Sequence, residues 1–151
     1  MASIRSRIGE NMEDRYLFKA QRLDSEEWVE GALVYDNKDE LYRIITEIDY
    51  STGTCVATEK APRIERFTAC QCTGLKDKNG KLIWENDIMV AHLDDHYPED
   101  KTYAKILWRK NGFYVIENGS EDISPIDKFD QDHFEVCGNI FDNKELLESE
   151  E

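Results

Sequence analysis

Apolar and polar positions alternate with period two over most of this chain. Clusters of Gly, Asn, Asp, Ser and Pro interrupt them about every 8–12 residues, which is the pattern of short antiparallel strands joined by turns. Residues 16–23 are aromatic- and apolar-rich, and Asp24-Ser25-Glu26 ends them. Residues 27–35 read as the partner strand, with Trp28, Glu30, Ala32 and Val34 alternating against Val29, Gly31, Leu33 and Tyr35. A turn at Asp36-Asn37-Lys38-Asp39 leads to a third strand over residues 41–46. Residues 50–54 read as a reversal in which Gly53 supplies a positive φ. After Pro62, residues 64–72 form another apolar-rich run.

The second half is organised around one reversal. The run ending at Cys72 and a new run over residues 82–91 flank the polar turn Asp77-Lys78-Asn79-Gly80. Asn and Gly tolerate the left-handed backbone that a tight hairpin requires. Residues 92–100 form a polar loop holding Asp94, Asp95, Glu99, Asp100 and Pro98. A second hairpin follows, with strands 103–108 and 113–116 about the turn Lys110-Asn111-Gly112, and Asn118-Gly119 marks a further turn. Residues 125–131 suit a short helical turn with Pro125 near its first position. Residues 134–141 form a last strand with Phe134, Val136 and Ile140 on one face. Asp142 and Glu145 have the spacing of a capping box, and Leu146-Leu147 anchor a terminal turn.

These elements predict an all-β, mainly antiparallel fold with minor helical turns, the C-terminal half forming a partial SH3-like barrel. The expected organisation is a disordered tail or extension over residues 1–11 and a single β domain over 12–147. That domain comprises N-terminal strands 16–72, a barrel-like half 82–141 and a short C-terminal helix 142–147.

Composition narrows the function classes. With 33 Asp and Glu against 19 Lys and Arg, the net charge is −14. A field of that sign repels nucleic acid, so no direct DNA or RNA binding is expected. No apolar run approaches the roughly 20 residues of a membrane span, and no signal-peptide pattern opens the chain. The expectation is a soluble cytoplasmic protein. Its four cysteines (Cys55, Cys70, Cys72 and Cys137) then read as reduced thiols packed as small hydrophobes.

The stretch Thr73-Gly74-Leu75-Lys76-Asp77-Lys78-Asn79-Gly80, followed by Trp84-Glu85-x-Asp87-Ile88, resembles the signature of the YopX-like family of phage and prophage proteins. Tyr16-Leu17-Phe18-x-Ala20, Glu27-Trp28-Val29-x-Gly31 and the closing Val136-Cys137-Gly138-Asn139-Ile140-Phe141 are similar to the same family. The resemblance implies a phage or prophage protein in a bacterial cytoplasm. It implies no particular activity and no cofactor.

Candidate chemistry is sparse. Asp77, Glu85 and Asp87 invite a carboxylate-cluster reading for acid–base or metal work. Turn chemistry explains them better: Asp77 belongs to a reversal, while Glu85 and Asp87 alternate on one strand face. Cys70-x-Cys72 with His92-x-x-x-His96 supplies the only metal-ligand set worth naming. Structural zinc sites space their cysteines by two to four residues rather than one, and the resembled family tends to carry Tyr at the position of Cys72, so no metal is expected. Lys76, Lys78 and Lys81 around the first turn, like Lys105, Arg109 and Lys110 around the second, read as solvated turn residues. No catalytic residue emerges. Among the many aromatics, Tyr97 and Trp108 are the candidates for a partner surface if they lie outside the core.

The leading expectation is a non-enzymatic protein-interaction or self-assembling module, binding an unidentified host or phage protein or forming a homo-oligomer. One alternative is an acidic protein whose carboxylates imitate nucleic-acid phosphate and occupy a host DNA- or RNA-binding protein. Another is an unrecognised enzyme or small-ligand binder.

Overall fold

The period-two alternation becomes antiparallel sheet over most of the described residues, with short helical turns between strands. The computed structural model describes residues 5–7, 13–49, 61–97 and 99–148. The reversal expected around Gly53, together with Cys55, Pro98, Met12 and residues 1–11 apart from 5–7, lies outside them. The chain divides into two compact units, Met1–Cys72 and Thr73–Glu151.

In the first unit, β1 (Arg5–Arg7) pairs with β5 (Glu47–Asp49). This strand lies within the stretch expected to be a disordered tail or extension. Tyr16, expected at the head of a strand, instead closes a 3-10 turn at Asp14–Tyr16. The main sheet runs β4 (Leu41–Ile45), β3 (Trp28–Asp36), β2 (Phe18–Gln21) and then the start of β6 (Cys70–Lys76), all antiparallel. Residues 61–65 close it. On one side the Ile44 N–H donates to the Pro62 carbonyl and the Ile64 N–H to that of Tyr42; on the other the Glu65 N–H donates to Gln21 and the Leu23 N–H to Arg63. Closure satisfies backbone groups that a free sheet edge would leave exposed. Ala20, Ile44 and Ile64 fill the interior, with Phe18, Val29, Leu33, Tyr42 and Ala69 against them. The run 64–72, read as one strand, is broken by a 3-10 turn at Arg66–Thr68, where the Thr68 hydroxyl donates to the Glu65 carbonyl.

The second unit begins inside β6, whose remaining residues pair with β7 (Leu82–Trp84). Its main sheet has the order β11 (Ile123–Pro125), β10 (Gly112–Glu117), β9 (Thr102–Arg109), β8 (Asp87–Ala91), β12 (Glu135–Asn139). Four strands meander and the last returns to the first, the strand order of an SH3-like partial barrel. Ile83, Met89, Ala91, Ala104, Ile106, Val115 and Phe134 form its core. Each of the large side chains among them contributes about 1.5–3 kcal/mol relative to an exposed one.

Several local expectations change here. Residues 82–91 are two strands rather than one, because Asn86 turns the chain at φ 69. Its N–H donates to Ile106 and its carbonyl accepts from Ile140, so the break is held from both sides. In the second hairpin only Lys110 and Asn111 form the loop, Gly112 pairing with Arg109, and the positive φ (56) belongs to Lys110. Pro125 ends β11, and helix α1 (Lys128–His133) starts instead from Asp127. The capping box lies there, between Asp127 and Asp130, and not at Asp142 and Glu145. The C-terminal helix expected over 142–147 is a single 3-10 turn, Lys144–Leu147, without a side-chain cap.

Candidate functional site

The Thr73–Gly80 stretch and the turn before Asp87 form one backbone-directed polar network. Gly74 takes φ 80 within β6, a conformation that costs glycine little. The Thr73 hydroxyl spans the kink, accepting from the Leu75 N–H at 3.0 Å and donating to the Ile83 carbonyl at 2.7 Å. Asp77 is 6% exposed. Its Oδ1 accepts from the N–H groups of Asn79 (2.8 Å) and Lys81 (2.9 Å), and its Oδ2 from that of Val136 (2.8 Å). Gly80 completes the reversal at φ +82, its N–H donating to the Asp77 carbonyl. The side-chain amide of Asn79 donates to Glu135 at 2.7 Å. Lys76, Lys78 and Lys81 point to solvent around this turn.

Asp87 is buried and accepts from the Trp84 N–H at 2.8 Å, clamping the Glu85-Asn86 turn. Glu85 lies in that turn, so the expected alternation of Glu85 and Asp87 along one strand does not occur. Both buried carboxylates thus face backbone N–H donors. That is the geometry of structural acceptors, and each such charge-assisted bond contributes about 1.5–3 kcal/mol.

Cys70 and Cys72 are both buried on one side of β6, and the Cys70 thiol donates to the Thr68 carbonyl at 3.1 Å. His92 and His96 are exposed in the loop after β8. Among the described residues no group of three or more His, Cys, Asp or Glu side chains gathers as a metal would require. Cys137 sits at the β-bulge between Val136 and Gly138. The residue is exposed, but partial desolvation of its thiol raises the pKa above the ordinary value, with Glu135 and Asp87 adding to the effect. A thiol so raised stays protonated at neutral pH and is a poor nucleophile.

The two aromatics singled out from sequence are both exposed: Tyr97 by 57% and Trp108 by 43%. Trp108 stands opposite Phe113 near the tip of the β9–β10 hairpin, the rings edge to face at 5.0 Å and 72°. Arg109 donates to the Trp108 carbonyl at 2.9 Å. The indole is therefore exposed and braced. Tyr97 lies in the acidic loop, its N–H donating to the Asp94 carbonyl.

Sequence reasoning missed two features of the first unit. Phe67 is 73% exposed beside an open groove of about 370 Å³ lined by Phe18, Leu33, Tyr42, Arg66 and Ala69. It lies in the 3-10 turn at Arg66–Thr68. Arg43 is buried, donating to Asp36 at 2.8 Å, to the Ala61 carbonyl at 2.8 Å, and to Asp39. Its hydrogen bond holds the Asp36 carboxyl below the usual range. The Asp36-x-x-Asp39 spacing ahead of Arg43 was the one available signal.

A family model described as YopX protein matches residues 17–148. No curated protein matches the chain. Among solved structures, the crystal structure of protein EF1440 from Enterococcus faecalis is similar, with a TM-score of 0.56 and 26% sequence identity. That match covers 87% of this chain and 96% of the other.

Proposed function

The chain belongs to the YopX family, and from that premise we propose that it is a phage- or prophage-encoded, non-enzymatic module that acts in the bacterial cytoplasm by binding another protein. The observation that carries this reading is Trp108, 43% exposed yet braced edge-on by Phe113. A rigid exposed indole loses little entropy on docking, and Trp is enriched among residues that dominate binding energy. The carboxylates that first suggested catalysis, Asp77 and Asp87, accept from backbone N–H groups. No helix among the described residues is long and apolar enough to cross a membrane.

Charge favours a second reading. Residues 73–151 carry 19 acidic against 9 basic residues, a net −10 of the total −14. A surface of that sign suits an acidic decoy that occupies a host nucleic-acid-binding protein. One experiment separates the two. The partner captured stoichiometrically from bacterial lysate is titrated from low to physiological salt against the native chain, Trp108→Ala, and a charge-reversal set at Asp94, Asp95 and Asp100. Weak salt dependence with binding lost in Trp108→Ala supports the aromatic module. A steep salt response with loss only in the acidic set replaces it with the decoy.

A further inference from the structure

The chain contains three Asn-Gly steps, at Asn79-Gly80, Asn111-Gly112 and Asn118-Gly119, and the structure distinguishes them chemically. We propose that Asn118 is a site of spontaneous modification, deamidating through a succinimide to aspartate and isoaspartate while the other two persist.

The reaction requires the backbone nitrogen of the following glycine to approach the asparagine side-chain carbonyl carbon. Water removes the N–H proton and returns a proton to Nδ2, the nitrogen bonds to Cγ, and the Cγ–Nδ2 bond breaks with loss of ammonia. A second water then opens the ring at either carbonyl. Glycine accelerates the first step because no Cβ hinders its nitrogen. A folded chain suppresses it wherever that N–H or the side-chain amide is held by hydrogen bonds, because the site must first open locally.

Asn79 is held at every point. Its amide donates to Glu135 at 2.7 Å, its own N–H donates to Asp77 at 2.8 Å, and the Gly80 N–H donates to the Asp77 carbonyl at 3.0 Å. Asn111 has an exposed side chain, but Gly112 belongs to β10 and is paired with Arg109. Asn118 differs from both. Its side chain is exposed, and neither that amide nor the Gly119 N–H hydrogen-bonds to any described residue. Gly119 has φ +89 with open space where a Cβ would stand. The turn is closed only by Ser120 donating to Glu117 at 3.0 Å, with the Asn118 N–H donating to Tyr103. The reacting groups can therefore rotate without breaking a ladder.

The test is to incubate the full chain in warm, mildly alkaline buffer. Peptide mapping then follows the amide-to-acid mass change, and isoaspartyl methyltransferase labelling follows isoaspartate. Position 118 is expected to convert first, about tenfold faster than 79 or 111, as opening-limited chemistry at ordered sites implies. Conversion at 79 or 111 as fast as at 118 overturns the proposal. In urea the three rates are expected to converge; a preference for 118 that survives unfolding would also overturn it, because the local sequence rather than the fold would then set the order. Gly119→Ala is expected to slow position 118 and leave 111 unchanged.

Discussion

The carboxylate of Asp77 accepts the backbone N–H of Val136, 59 residues further on, at 2.8 Å. The same carboxylate closes its own turn through Asn79 and Lys81. One side chain therefore fixes the β6–β7 reversal and ties it to β12. Asp77→Ala leaves three backbone donors without that acceptor and is expected to cost about 3 kcal/mol in urea unfolding, while Asp77→Asn loses less because one oxygen remains. A loss within experimental error of zero would remove Asp77 as the anchor.

Glycine substitutions separate backbone strain from clash. At Gly80 a Cβ meets nothing, so Gly80→Val should cost about 1 kcal/mol or somewhat more, through its φ of +82 alone. At Gly31 a Cβ would lie 2.0 Å from the Ile45 carbonyl oxygen, which is backbone and cannot swing away. Gly31→Ala is expected to be the more damaging of the two. Thermal unfolding of both variants checks the order.

Lys110 occupies the left-handed region at φ 56, where an L-residue pays about 1–2 kcal/mol and glycine little. Lys110→Gly is expected to stabilise the hairpin by up to about 1 kcal/mol once the greater unfolded-state freedom of glycine is deducted. The denaturation midpoint should rise with the m-value unchanged.

Stability should fall in acid through Asp36 and Asp24. The Arg43 hydrogen bond depresses the Asp36 pKa below the ordinary 3.8. A depressed folded-state pKa gives stability that is full above the unfolded value and lost as pH falls through the folded one. The thermal midpoint gap between the native chain and Asp36→Asn should therefore be widest near neutral pH and close below about 4. Asp24, hydrogen-bonded by Arg22, has its pKa lowered to about 2, which an NMR titration reads directly.

Thiol labelling tests the cysteine environments. Cys70 and Cys72 are expected to resist alkylation until the chain unfolds, and Cys137, though exposed, to react slowly at neutral pH because its raised pKa keeps the thiol protonated. After equilibration with zinc and desalting, the protein is expected to retain no stoichiometric metal. Retention abolished by Cys70→Ser/Cys72→Ser would overturn that expectation.

By itself the sequence determined what depends on neighbours along the chain. Alternation along residues 27–35 makes a strand because side-chain direction in extended backbone has period two. Asp77-Lys78-Asn79-Gly80 makes a reversal because Asn and Gly accept the required φ, and the same stretch carries the family signature. The exposure of Trp108 and Tyr97 was foreseen only as one of two outcomes. The tertiary structure decided whatever needs a partner distant in sequence. Residues 82–91 split because Ile106 and Ile140 hold Asn86 in the left-handed region. Arg43 is buried because Asp36, Asp39 and the Ala61 carbonyl converge on it. Asp77 acquires its third donor from Val136, and at Asn118-Gly119, unlike Asn79-Gly80, neither the side-chain amide nor the glycine N–H is hydrogen-bonded to a described residue. Local propensity cannot supply these outcomes, because burial and hydrogen bonding are properties of the spatial neighbours that folding brings to each residue.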